Sequence, residues 1–294
     1  MTRRDFLTVV AGSSLWRSVA ERPRILRIHH VGFQVHDLQA ARVFYRRLLG
    51  FQERSPGQIR INNHQAVILR QEQQPGTDRL TEVGFETDAA ERLQPLLRAK
   101  GVPVSDLSRG SDGAAGFGVT DPDGHKLWFF SPGPTGEHSD GSSNAAAIST
   151  DLRHAGLLIG SLSAANHLYA DGLGFQEIWR GSREGNELDW TNVQVPDGSD
   201  YIEFMLYRDL PPEDKRGSQH HICLFVKDLD KAVAILTPRA ASTKYTRPLE
   251  IRIGTNRKRQ LNLFDPDGTR IELMEDHTVD GLPAPASTAP PPRP

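Results

Sequence analysis

The sequence predicts an α+β fold of four βαβββ modules paired into two domains, each a curved mixed sheet around a cavity. Three observations carry this expectation. A strand-like opening recurs four times, as HVGFQVHDL from His30, EVGFETDAA from Glu82, HAGLLIGSL from His154 and HICLFVKDL from His221. Each opening leads into a stretch with helical spacing of apolar residues. The second and fourth copies close on a tight turn and a strand, DPDGHKLWFF from Asp121 and DPDGTRIELM from Asp265. Repetition at this spacing marks an internal repeat.

Composition bounds the function. At 294 residues there is chain enough for two domains, each with its own core. Lys and Arg number 35 against 37 Asp and Glu, a net charge of −2, which offers no footprint for nucleic acid or an anionic membrane. Cys223 is the single cysteine, so an internal disulfide is excluded. It follows His221 by two residues and shares its face of the strand. A small buried hydrophobe is the reading there, with a soft metal ligand as the alternative.

The amino terminus, MTRRDFLTVVAGSSLW, sets Arg3 and Arg4 ahead of an apolar run from Phe6 to Trp16, and Ser18-Val19-Ala20 suits cleavage. Residues 1–20 resemble a bacterial twin-arginine export signal, which implies a periplasmic protein; without that signal the chain is cytoplasmic. The apolar run is too short to span a bilayer.

In order, residues 25–36 read as a strand, and Asp37 caps a helix over 38–49 whose apolar face is Leu38, Ala41, Phe44, Tyr45, Leu48 and Leu49. Gly50 stops it. Strands follow over 50–54, 58–62 and 65–70. In the second copy Asp88 is the expected cap of a helix through Lys100, with strands near 102–105, 115–120 and 126–130. The run from Ser131 to Thr150 is rich in Gly, Ser and Pro, and 134–150 reads as a linker between domains at 25–133 and 151–276. The third copy caps its helix with Ser161 or Ser163 and closes on strands over 187–195 and 201–207. The fourth has a strand over 220–226, an Asp228 cap, a helix to about Thr237 and a last strand over 270–275. Residues 277–294, ending PAPASTAPPPRP, are expected to be a disordered Pro-rich tail.

Two such units side by side put their first and last strands on the concave wall of one sheet, where a His opening the first strand and a Glu on the last both point into the cavity. This layout resembles the vicinal oxygen chelate superfamily, which includes glyoxalase I, the extradiol ring-cleaving dioxygenases and the fosfomycin and bleomycin resistance proteins. The resemblance covers residues 25–275. It implies a metal set of His154, Glu203, His221 and Glu272, with His154 and Glu203 49 residues apart and His221 and Glu272 51 apart. Two imidazoles and two carboxylates suit one divalent ion, Fe, Mn, Ni, Co or Zn, with positions open to substrate oxygens.

In the amino-terminal half the corresponding positions are His30, Val67 or Ala66, Glu82 and Trp128, so this half reads as a degenerate copy without a metal. His29 and His220 are expected to face away from the cavities, at the surface or behind the ligands. Neighbour pairing of modules puts all four ligands in one cavity. Swapped pairing would divide them, with His30, His221 and Glu272 in one and Glu82, His154 and Glu203 in the other.

The resemblance implies a small-molecule substrate with adjacent oxygens and three alternative activities. The first is a glyoxalase-like isomerase or lyase acting through a metal-bound enediolate, with Glu203 or Glu272 as base. The second is an extradiol-type dioxygenase using His154, His221 and Glu272; that family carries a Tyr where this chain has Asn262. The third is a non-catalytic binding or resistance protein. Trp190, Asn192 and Tyr207 are candidate pocket-lining groups. A homodimer is compatible with the sequence, and no nucleic acid partner or membrane insertion is expected.

Overall fold

The computed structural model describes residues 22–73, 78–111, 113–133 and 144–292. The expected export signal lies outside them, as does most of the expected linker. The strands are β1 (Ile25–Val35), β2 (Gln52–Ser55), β3 (Gln58–Arg60), β4 (Ala66–Gln71), β5 (Leu80–Thr87), β6 (Ser108–Arg109), β7 (Ala115–Thr120) and β8 (Lys126–Ser131) in the first half. The second half has β9 (Leu152–Ile159), β10 (Gln176–Gly181), β11 (Trp190–Gln194), β12 (Tyr201–Leu206), β13 (His221–Phe225), β14 (Ile251–Ile253), β15 (Lys258–Phe264) and β16 (Arg270–Thr278). Four α-helices follow the module-opening strands: α1 (Leu38–Arg42), α2 (Ala90–Ala99), α3 (Leu162–Asn166) and α4 (Leu229–Thr243).

Two eight-stranded mixed sheets result, ordered β2-β3-β4-β1-β5-β8-β7-β6 and β10-β11-β12-β9-β13-β16-β15-β14. Modules therefore pair with their sequence neighbours. In each sheet the opening strands of two modules run antiparallel at the centre, flanked by parallel closing strands. Alternation sorts the residues. Ala155, Leu157 and Ile159 of β9 enter the apolar core, while His154 and Gly156 take the other, concave face.

Asp37, Ser161 and Asp228 cap α1, α3 and α4 by accepting backbone N–H groups in the first turn. Asp88 does not cap α2. Ala89 holds the cap position, and the Asp88 carboxylate accepts from the backbone N and Nε of Arg24 instead. The expected strand over 102–105 is reduced to a single bridge between Val104 and Val119.

The helix expected over 38–49 changes pitch. After α1 it continues as a π-helix, Val43–Leu48, and after α3 the chain does the same over His167–Gly172. Phe44, Tyr45, Leu48 and Leu49, the apolar face expected of the helix, stay buried through the wider turn. Gly50 and Gly174 end the turns with φ of 79° and 84°, in the left-handed region.

α4 runs past Thr237 and through Pro238 to Thr243. The proline removes one backbone donor, but buried Leu236 and Ala240 anchor the helix on both sides of it. The end of the expected linker is also packed: Ile148 is buried and its N–H donates to Leu49 O, and Asn144 donates to Gly50 O.

The tail is ordered through 292, contrary to expectation. Its prolines need no core of their own because they use a neighbour's edge. Trp179 Nε1 donates to Pro285 O, Ser287 N to Arg180 O and Leu188 N to Pro290 O, and Ala289 is buried. Among the described residues no helix is long and apolar enough to cross a membrane.

Candidate metal centre

His154, Glu203, His221 and Glu272 stand on β9, β12, β13 and β16, the four central strands of the second sheet. Strand register brings them together. Glu203 and His221 both pair with Gly156, and Cys223 pairs with His154 on one side and Glu272 on the other. His154 Nε2 lies 3.2 Å from His221 Nε2, 3.4 Å from Glu272 Oε2 and 4.0 Å from Glu203 Oε2. His221 Nε2 lies 3.3 Å from the same Glu203 oxygen. A Cβ added to Gly156 would stand 2.0 Å from Cε1 of His221, so only glycine leaves room for that ring.

The environment keeps both imidazoles neutral. Burial lowers His154 to about 3, and burial with the nearby Arg270 charge holds His221 well below its ordinary value. Burial, then the Glu203 charge, raises Glu272 to about 7. The Cys223 thiol, pushed up by burial and by Glu272, stays protonated and is hydrogen-bonded to that carboxylate. Ligand atoms of His154, Cys223 and Glu272 lie within 4.8 Å of one another, as do those of His154, Glu203 and His221.

These residues fit a divalent ion. His221 Nδ1 lies 3.0 Å from Gln219 O and 2.6 Å from Arg270 Nη2; the tautomer that donates to Gln219 O leaves the Nε2 lone pair aimed at the cluster. His154 Nδ1 is buried without a partner. Packing carboxylates against neutral imidazoles in a dry site is costly until a cation balances them. The expected ligand set is thus brought together by the fold, with Cys223 as an additional neighbour.

Among the described residues the places in the first sheet equivalent to Glu203 and Glu272 carry other side chains. Register puts Ile68, rather than Val67 or Ala66, at the place of Glu203, because His30 pairs with Ala66 as His154 pairs with Tyr201. Trp128 holds the place of Glu272, pairing with Gly84 as Glu272 pairs with Cys223. Its indole lies beside Gly116. His30 and Arg70 instead both contact Glu82.

One expectation about the histidines needs correction, that for His29, while His220 faces away from the cluster as expected but in a buried place. A register shift between Ile28 and His30 turns His29 toward the cavity, where its Nδ1 is 2.9 Å from that of His30 and its ring packs on Phe130. His220 is fully buried against His125 and Asp78 of the first half, because its strand face is the interface between the sheets.

Beside the cluster lies a pocket of about 410 Å³ lined in part by Trp190, Met205, Tyr207, Gln219 and Arg270. Trp190 and Tyr207 are where pocket-lining groups were expected. Asn192 is buried next to Glu203 in register, and its Oδ1 has no partner. Arg270 was missed, although it stands two residues before Glu272 and alternation alone puts both on one face.

Comparison with known proteins agrees with this architecture. The model of the glyoxalase/bleomycin resistance protein/dioxygenase superfamily matches residues 27–129 and 151–273. A comparison with curated proteins returns no match. Among solved structures, an Mn(II)-bound glyoxalase from Novosphingobium aromaticivorans superposes with a TM-score of 0.67 at 17% identity, over 92% of this chain and 88% of that one. The 2,3-dioxygenase LapB from Pseudomonas sp. KL28 gives 0.66 at 18% identity, over 89% and 97%. An extradiol ring-cleaving dioxygenase from B. fuscum gives 0.66 at 18%, over 92% and 78%. At such identities the likeness is one of fold.

Proposed function

The chain belongs to the glyoxalase/bleomycin resistance protein/dioxygenase superfamily, and from that premise we propose a metal-dependent, glyoxalase-like isomerase or lyase acting on a small molecule with adjacent oxygens. The observation that carries this reading is the second carboxylate: Glu203 joins Glu272 around the two neutral imidazoles, 3.3 Å from His221. His154, Glu203, His221 and Glu272 would hold a divalent ion, whether Fe, Mn, Ni, Co or Zn, which would supply Lewis acidity toward a substrate carbonyl.

The chain's own groups supply the rest. Glu203 and Glu272 are the bases on offer for a proton beside that carbonyl. The Cys223 thiol orients Glu272, and the Tyr201 ring, 4.6 Å from that of His154, helps to close the site to water.

The extradiol-type dioxygenase is the second reading. It is favoured by the close approach of His154 Nε2 to His221 Nε2 at 3.2 Å and to Glu272 Oε2 at 3.4 Å, the three donors that reading uses, and disfavoured by Asn262, paired with Glu272 where that family carries a Tyr.

The test is the metal content of the purified protein beside a Glu203→Ala variant. About one ion per chain, weakened in the variant, supports the four-donor reading. An ion held equally by both supports the oxygenase. Absence of an ion in either, after divalent metals are offered, leaves a binding protein. Export under the twin-arginine-type leader belongs to the same proposal, and cell fractionation of the chain with Arg3 and Arg4 changed to Lys tests it. An unchanged distribution would end that part.

A further inference from the structure

The pocket beside the candidate metal centre contains a cation, Arg270, that forms no ion pair among the described residues. Arg270 is half-buried, and its Nε is buried with no hydrogen-bond partner. Its Nη2 stands 2.6 Å from Nδ1 of His221 and 3.7 Å from Sδ of Met205. The other two arginines of the pocket are neutralised, Arg183 by Asp189 at 3.6 Å and Arg208 by Glu187.

Its contact with His221 is conditional. When Nε2 of His221 faces a cation, the ring proton sits on Nδ1 and is donated to Gln219 O. Two N–H groups then oppose each other at 2.6 Å, and the guanidinium loses its acceptor. A half-buried guanidinium left with only the weak thioether acceptor of Met205 and no ion pair gains most from a carboxylate, which matches its fork of donors.

We propose that Arg270 binds an anionic group of the substrate, so that the molecule taken by this site carries a carboxylate in addition to the adjacent oxygens that reach the metal centre. The second half of that statement and the loss of the His221 acceptor rest on the metal reading given above; the unpartnered Nε and the missing ion pair rest on the pocket alone. Trp190 and Tyr207 give the pocket flat walls, with the Tyr207 hydroxyl donating to Gln219 Oε1 at 3.1 Å. A planar acid, such as a carboxylated catechol or an aromatic oxo-acid, matches those walls. In the first sheet Lys126 holds the place of Arg270, two residues before Trp128, and is exposed. The anion site therefore accompanies the four-donor cluster and is not a general property of the repeat.

The experiment titrates the full chain, loaded with Mn(II) and kept under nitrogen, with 3,4-dihydroxybenzoate and with catechol, following heat of binding and bound Mn(II). The wild type is expected to bind the acid at least about tenfold more tightly than catechol. Arg270→Gln brings the ratio to about one while catechol affinity and Mn(II) content hold. Arg270→Lys restores part of the preference, and Arg252→Gln, at an exposed arginine outside the pocket, leaves it intact. Equal affinity of the wild type for the two probes, or a preference that survives Arg270→Gln, overturns the proposal. If the wild type binds no Mn(II), the metal reading fails, and benzoate against benzamide on the metal-free protein reads Arg270 by itself, with equal affinities refuting its role.

Discussion

The Tyr169 hydroxyl, on the π-helical turn of the third module, donates to Asp121 Oδ2 in the DPDG turn of the second module at 3.0 Å. Tyr45 and Asp265 repeat the contact from the opposite direction at 3.3 Å. Each half therefore reaches across with a buried phenol to the turn that closes the other half. The same Asp121 oxygen is 2.7 Å from His125 Nδ1, so the acceptor is shared.

Loss of the Tyr169 hydroxyl should loosen both halves together. Tyr169→Phe is expected to lower unfolding free energy by about 1–2 kcal/mol, and Tyr45→Phe by less, because its bond is longer. Calorimetry should show one transition moving as a whole. Two separate transitions in the wild type would disprove mechanical unity of the sheets.

Gly156 is a bystander in chemistry and a requirement in space. Gly156→Ala places a methyl group into the His221 ring, so Mn(II) affinity should fall by about 10–100-fold, as when a neighbour that orients a ligand is lost. Far-ultraviolet circular dichroism should remain that of the wild type. Unchanged Mn(II) binding would show that His221 is not a ligand.

Asp200 ties the halves at a cost that depends on pH. It accepts from Ile28 N and Gln65 Nε2, and burial raises it to about 7. Asp265, also raised by burial, stands at about 6. Both lie above the unfolded value of about 4, so the folded state holds their protons more tightly than the unfolded state does. Their contribution is complete below pH ~4 and is lost as pH rises through about 6 and 7. Asp200→Asn should remove close to one proton from the slope, about 1.4 kcal/mol per pH unit between roughly pH 5 and 7. Denaturant melts across that range check it; parallel wild-type and variant curves would contradict the assignment.

Removal of residues 284–294 strips three backbone-carbonyl or backbone N–H bonds from the edge of the second sheet and uncovers the face packed by Ala289. Each bond contributes about 1 kcal/mol net, so a fall in Tm of several degrees is expected. Because Pro292 lines the pocket beside Arg270, a rise in the dissociation constant for 3,4-dihydroxybenzoate should accompany it. A truncated chain with the wild-type Tm would mean that the tail rests on the sheet without holding it.

The sequence by itself determined the repeat and the α+β class, because a strand's period of two and a tight DPDG turn are local properties of the chain; the candidate ligands came from the family resemblance. That resemblance put His154, Glu203, His221 and Glu272 at matching places without any knowledge of what lay between them. Module pairing, the inward turn of His29 and the burial of His220 were decided by contacts between segments far apart in the chain. The ordered tail was illegible for the same reason: its prolines cannot build a core, yet they can cover the edge of someone else's sheet. Arg270 belongs to both accounts. Its face followed from alternation, but its lack of a counter-ion is a fact about what surrounds it, and only the packed sheet decides which charges are left without partners.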